Sequence, residues 1–119
     1  MAKLKFYEYK GCDTCRKAKK FLDANGIAYQ PIPIRETPPA KTEIIKMLAV
    51  YDGNIRRLFS TSGVDYKQLK LSEKLPHLSS NEAINLLAAN GNLVKRPFVI
   101  SGCSGVVGFN EEEWQQFLP

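Results

Sequence analysis

The stretch KLKFYEYKGCDTCRKAKKFLDANGI, residues 3–27, constrains the fold of this chain more than any other. Lys3–Tyr9 alternates polar and apolar residues and is rich in aromatics, the pattern of a strand. Gly11 breaks it. From Asp13 to about Asn25 the apolar residues Ala18, Phe21 and Leu22 recur at helical spacing, with Arg16, Lys17, Lys19 and Lys20 turned outward. Asn25-Gly26 is a helix stop signal. IAYQPIPI, residues 27–34, reads as a second strand, and its two prolines suit a sheet edge. Strand, helix and strand in this order predict a unit with parallel strands. Two cysteines, Cys12 and Cys15, fall at the turn between the first strand and the helix.

The middle of the chain, about residues 38–91, reads as helical. Thr37 is a candidate cap for a helix over about Ala40–Ala49, with Ile44, Ile45 and Leu48 on one face. YDGN is a turn and IRRLF a short helical piece. A further helix is expected over the first half of residues 64–75. Ser79 or Ser80 caps the next one, in which Ala83, Leu86 and Leu87 pack and Asn90-Gly91 closes the last turn. RPFVI (96–100) and VVGF (106–109) read as a β-hairpin around SGCSG. Asn110 then caps a final helix whose three glutamates suit the positive end of its dipole. The order β-α-β, helices, β-β-α is that of a thioredoxin-like α/β fold with a helical insertion between its halves, on one domain spanning residues 1–119.

A cysteine at a helix N-terminus faces unpaired backbone N–H groups and the positive end of the dipole, which together favour a thiolate. Cys12, after Gly11, is at the exposed end and is assigned as nucleophile. Cys15, one turn in, is placed to resolve an adduct on it. Two other readings compete: a metal half-site and a pair of inert buried thiols. The metal reading has only Cys12, Cys15, Cys103 and His77 to draw on, with no second cysteine pair and no histidine pair, so no metal is expected. Cys103 is six residues past Pro97, about 20 Å along an extended chain, and is expected as a surface thiol in the hairpin turn. His77 is expected as a loop or packing residue rather than a base.

In KRPFVI a proline stands at the entry to a strand. Arg96 before it is driven out of the helical region. The residues alone leave open a cis peptide at a tight turn and a trans proline at an edge. In a thioredoxin-like fold Pro97 would face the cysteine pair, and Arg96 would bring a guanidinium to Cys12, able to stabilise a thiolate or grip an oxyanion.

The chain has 119 residues, 17 Lys and Arg against 12 Asp and Glu, and a net charge of +5. The basic residues are dispersed and no helix concentrates them into a reading face, so direct DNA binding is not indicated. No run of apolar residues is long enough to span a membrane, and the first ten residues lack the apolar core of a secretory signal. Three cysteines suit a reducing compartment, so a cytoplasmic location is expected.

With these pieces placed, the chain resembles the arsenate reductase (ArsC)/Spx family. The resemblance is carried by FYEYKGCDTCRKAKKFLDANGI, ETP, DGNIRRLFSTSGVDYKQL, NEAINLLAANGNLVKRPFVI and VGFNEEEWQQFLP, in the family's order and over nearly the whole chain. It implies a thioredoxin-like fold, chemistry at Cys12 and a cis peptide before Pro97. In its reductase branch it implies thiol–disulfide chemistry with no bound cofactor, a glutathione, glutaredoxin or thioredoxin-type reductant, and an oxyanion held by three arginines. Arg96 matches one of these. Ser60 and Phe109 stand where the other two would be, with Arg56 or Arg57 as substitutes. A charge-assisted hydrogen bond contributes about 1.5–3 kcal/mol, so losing two should weaken arsenate binding severely. In its Spx branch the resemblance implies a redox switch that binds the C-terminal domain of the RNA polymerase α subunit, with Gly53 at the contact position.

Overall fold

The structure is a computed structural model that describes residues 4–117. The expected strand start at Lys3, and Leu118 and Pro119 of the expected last helix, lie outside the described residues. Strand β1 (Leu4–Glu8) leads into helix α1 (Asp13–Ala24) and strand β2 (Tyr29–Pro33). Helices α2 (Lys41–Val50), α3 (Val64–Gln68), α4 (Leu71–Lys74) and α5 (Ser80–Ala89) follow, with 3-10 turns at Ile55–Leu58, Leu75–His77 and Gly91–Leu93. Strands β3 (Phe98–Ser101) and β4 (Ser104–Val107) and helix α6 (Glu111–Phe117) complete the order. The sheet runs β2-β1-β3-β4, with β1 parallel to β2 and antiparallel to β3. This is the thioredoxin-like arrangement, and the proline-bearing strand is at the edge as expected.

Alternation along the strands builds two cores, because successive side chains point to opposite faces. Leu4 and Phe6 of β1, Val99 of β3 and Val106 of β4 pack on one face against Cys15, Ala18 and Leu22 of α1 and Trp114 of α6. Tyr7, Phe98, Ile100 and Val107 pack on the other face, against Ile44, Met47, Leu87 and the rest of the helical segment. Helix α1 ends as its Asn25-Gly26 signal predicts. Gly26 takes φ +66°, and the Gly26 and Ile27 N–H groups donate to the Asp23 and Leu22 carbonyls at 3.1 and 3.0 Å.

Tertiary packing overrides several local expectations. Thr37 does not cap α2: its N–H closes a turn on the Pro33 carbonyl at 2.8 Å, and Pro38-Pro39 separate it from the helix. The cap position is Ala40, whose N–H donates to the Glu43 carboxylate at 3.0 Å. The buried face of α2 is Ile44 and Met47, while Ile45 is 52% exposed. Met47 sits against β4, where a Cβ on Gly105 would meet its Cε at 2.6 Å. Helix α3 covers the first half of residues 64–75 as expected, and Lys70, at φ +53°, separates it from the short α4. Ser79 rather than Ser80 caps α5, accepting the Glu82 N–H at 3.1 Å. Strand β4 starts two residues earlier than expected, because Ser101 pairs with Ser104 and leaves only Gly102-Cys103 as the turn. Helix α5 ends at Ala89 with Asn90 as its cap, where Asn90-Gly91 is expected to close it, although Gly91 is not left-handed. It opens the next 3-10 turn, and a Cβ there would lie 1.9 Å from the Ile34 carbonyl oxygen.

Candidate active site at the start of the first helix

Cys12 is the N-cap of α1, with extended backbone (φ −85°, ψ 108°). Its Sγ accepts the Cys15 N–H at 3.2 Å, so the sulfur stands at the orphan donors of the first turn. Gly11, at φ +85°, makes the reversal from β1 into the helix. Cys12 is half-buried and faces a cleft of about 820 Å³. Cys15 is 1% exposed and belongs to the core between α1 and the sheet. Burial, and then its hydrogen bond with Cys12, push the Cys15 thiol up to about 12. The two sulfurs are therefore chemically unequal: one is accessible at a helix N-terminus, the other is held as a thiol behind it. All three cysteines are unpaired.

The Arg96–Pro97 peptide is cis. The preceding segment is pinned to the helical insertion, since Ser60 N–H donates to the Leu93 carbonyl and Lys95 N–H to the Leu58 carbonyl, both at 2.8 Å. On the other side, Gly108 N–H donates to the Pro97 carbonyl at 2.9 Å. These bonds bring Arg96 and the Ser60–Ser62 hydroxyls to the cleft that Cys12 faces. Arg96 donates to the Asn92 carbonyl at 3.3 Å and lays its guanidinium on the Tyr9 ring, 4.2 Å from the centroid.

Ser60 and Phe109 both line the cleft and supply no charge there. Phe109 packs edge-on to Phe21 and tilted against Trp114. Arg56 and Arg57 do reach the cleft wall. Arg57 is already engaged: it bridges Glu113 at 3.4 Å and covers the Tyr51 ring at 4.6 Å. Tyr51 in turn donates to the Glu113 carboxylate and accepts the Val107 N–H at 2.9 Å.

Gly53 is exposed in the turn after α2 at φ +83°, a conformation that by itself calls for glycine. Cys103 is exposed in the hairpin turn and borders a separate depression with Val50 and Phe117. His77 is exposed and outside the cleft lining. Among the described residues no three of His, Cys, Asp and Glu gather as a metal site, and no helix is long and apolar enough to cross a membrane. The sequence reading missed Tyr9, Tyr51 and Glu113. Tyr9, just ahead of KGC, was within reach of it. The link from Tyr51 to Glu113 spans 62 residues and leaves no local signal.

A helix capped by a cysteine, together with a cis proline just ahead of a strand of a thioredoxin-like sheet, defines the class. Residues 7–117 match the ArsC family, and the chain belongs to it. It is 42% identical over 113 residues to the uncharacterised protein YusI of Bacillus subtilis, covering 95% of this chain and 96% of that one. It is 31% identical over 108 residues to the global transcriptional regulator Spx of Streptococcus mutans, covering 91% of this chain and 77% of Spx. A solved structure described as "a possible arsenate reductase" from Streptococcus mutans superposes with a TM-score of 0.86 at 40% identity, covering 97% of this chain and 99% of that one.

Proposed function

We propose that the protein is a cytoplasmic thiol–disulfide oxidoreductase in which Cys12 attacks, Cys15 resolves and Arg96 stabilises the anion. The observation that carries this reading is the inequality of the two sulfurs: Cys12 Sγ caps α1 at the cleft, and Cys15 is buried behind it. The Cys12 thiolate attacks one sulfur of a substrate disulfide. The disulfide bond breaks, the first thiolate leaves and takes up a proton, and Cys12 is left in a mixed disulfide. Cys15 then gives up its proton and attacks the Cys12 sulfur. The second substrate thiol is expelled, and Cys12–Cys15 holds the two electrons' worth of oxidation. Two equivalents of a monothiol such as glutathione, or one thioredoxin-type dithiol, return the electrons. Burial of Cys15 favours this order, because its proton is retained until the adduct forms. No cofactor enters these steps.

The test is equilibrium titration of the pair against glutathione with thiol trapping. A reversible Cys12–Cys15 disulfide at about −220 to −320 mV is expected. Cys12→Ser should abolish exchange, and Cys15→Ser should arrest the protein as the mixed disulfide. Unchanged turnover in Cys12→Ser would sink the reading. Arsenate is expected to be a poor substrate, since Ser60 and Phe109 bring no charge and Arg57 is tied to Glu113.

A second reading is supported by the likeness to Spx and by the exposure of Gly53. On it, the same disulfide switches binding to the C-terminal domain of the RNA polymerase α subunit. Pull-down with that domain in both redox states decides it; no capture in either state rules the reading out.

A further inference from the structure

The cleft that Cys12 faces has a second polar wall, built where the helical insertion meets the segment ahead of Pro97. Phe59 and Val94 form an antiparallel bridge there. Flanking it, Ser60 N–H donates to the Leu93 carbonyl and Lys95 N–H to the Leu58 carbonyl, both at 2.8 Å. This register sets Ser60 opposite Leu93 and two places from Lys95. Ser60 and Lys95 are therefore diagonal neighbours, about 7–8 Å apart in such a ladder and within reach of a long side chain. Both line the cleft.

Their side chains are placed at the cleft and left unmatched. Lys95 lays its stem on Gly108: a Cβ on that glycine would lie 3.2 Å from Lys95 Cε and 3.9 Å from its Cγ. Gly108 is itself part of the cleft wall, fixed by its N–H on the Pro97 carbonyl at 2.9 Å. The Lys95 ammonium, one bond past Cε, is thus kept at the cleft. Lys5, Arg16, Lys19 and Arg57 each meet a carboxylate, from Glu43, Asp13, Glu8 and Glu113 respectively. Among the described residues Lys95 meets none. Ser60 is only 8% exposed, and among the described residues its hydroxyl has no hydrogen-bond partner. Burying a hydroxyl costs free energy unless it is bonded. A ligand in the cleft can bond both groups at once. The cleft volume of about 820 Å³ falls within the ~300–1,000 Å³ typical of small-molecule sites, which leaves room for a peptide-sized thiol.

We propose that Ser60 and Lys95 form a subsite, separate from Arg96, that receives a carboxylate of the peptide thiol or disulfide with which Cys12 reacts. The inference rests on the thiol–disulfide reading and assigns both residues to substrate binding. An ammonium supplies charge and rotatable donors, and a hydroxyl supplies one more donor, so together they can bond both oxygens of one carboxylate. A carboxylate is the anionic group that a peptide thiol carries at neutral pH.

The experiment is an NMR titration of the reduced full chain with S-methylglutathione, which carries the carboxylates but cannot exchange disulfides. The Ser60 amide and the Lys95 side-chain signals should shift. Lys95→Gln should weaken binding about two- to fivefold, the effect of one partly exposed charge pair, and Lys95→Arg should restore most of it. Ser60→Ala should weaken binding about three- to tenfold, the effect of one hydrogen bond. The dimethyl ester of the same probe should bind weakly and be indifferent to both substitutions. Lys20 is exposed on α1 and outside the cleft lining, so Lys20→Gln should change nothing. Equal loss in Lys20→Gln and Lys95→Gln would mean a general basic field, and equal loss for acid and ester in Ser60→Ala would mean a packing role; either result overturns the proposal. So would unchanged binding in Lys95→Gln or in Ser60→Ala, or no shift at all in the wild type. Shifts at Ser60 and Lys95 with inorganic phosphate but not with S-methylglutathione would overturn the carboxylate assignment in favour of a free oxyanion. Because the probe is unreactive, these outcomes do not depend on redox activity. The rate of wild-type exchange with neutral hydroxyethyl disulfide separately tests the thiol–disulfide reading.

Discussion

Cys12 and Cys15 are three residues apart and have opposite environments. Cys12 faces the cleft, and Cys15 is 1% exposed with its thiol pushed up to about 12. At pH 8 iodoacetamide should therefore modify Cys12 and exposed Cys103 and leave Cys15 untouched, read by peptide mass mapping. Cys12→Ser should keep the fold, since serine is a favoured N-cap and its change in stability should stay within about 0.5 kcal/mol. Exchange activity should vanish in the same variant. Gly91→Ala is the contrasting case. The added methyl would lie 1.9 Å from the Ile34 carbonyl oxygen and 3.2 Å from the Arg35 Cα, both backbone atoms, and overpacking of this kind costs about 1–3 kcal/mol. A lower urea midpoint with an unchanged slope would match that expectation; no change would mean that the β2 exit yields freely.

Among the elements, α2 is anchored by one carboxylate. Glu43 accepts the Tyr7 hydroxyl at 2.6 Å, the Ala40 N–H at 3.0 Å and the Lys5 ammonium at 3.1 Å. Burial raises the Glu43 pKa, but these three donors outweigh it and hold it below the ordinary value. A depressed carboxyl contributes stability above the pKa of the unfolded chain, about 4.3, and that contribution is lost as pH falls through the folded value. Glu43→Gln should thus lower the melting temperature at pH 7 and narrow the gap to wild type below pH 4. A gap that is constant with pH would mean that the charge contributes nothing. At the other end of α2, Tyr51 ties the insertion to β4 and α6 through Val107 and Glu113. Tyr51→Phe leaves the Val107 N–H without its acceptor and should cost about 1–2 kcal/mol by chemical denaturation.

At the scale of the whole molecule, the two cores share β1, β3 and β4 and cannot be separated without breaking the sheet. Trp114, the single tryptophan, reports the α1–α6 side, while most helical signal comes from the insertion on the other side. Its fluorescence and far-ultraviolet circular dichroism should follow one unfolding curve. Two separated transitions would show that the insertion unfolds independently.

Much of this architecture is readable along the chain because its signals are local. Alternation marks β1, helical spacing marks α1, and Asn25-Gly26, Ser79 and Asn110 mark helix ends. Cys12 and Cys15 at a strand–helix junction, and Pro97 at a strand entry, are equally local. The misreadings share another cause. Thr37 and Ile45 each fit a local rule, but their neighbours in space impose something else: Glu43 at the α2 cap and Gly105 beneath Met47. The sequence by itself therefore determined the order of elements, the edge strand and the helix-terminal position of Cys12, since each follows from residues within one turn or one strand. Only the tertiary structure decided that Cys15 is sealed in the core, that Arg57 is held by Glu113, and that Arg96 lies on Tyr9. Those facts depend on segments tens of residues apart meeting across the sheet, and no local pattern encodes such a meeting.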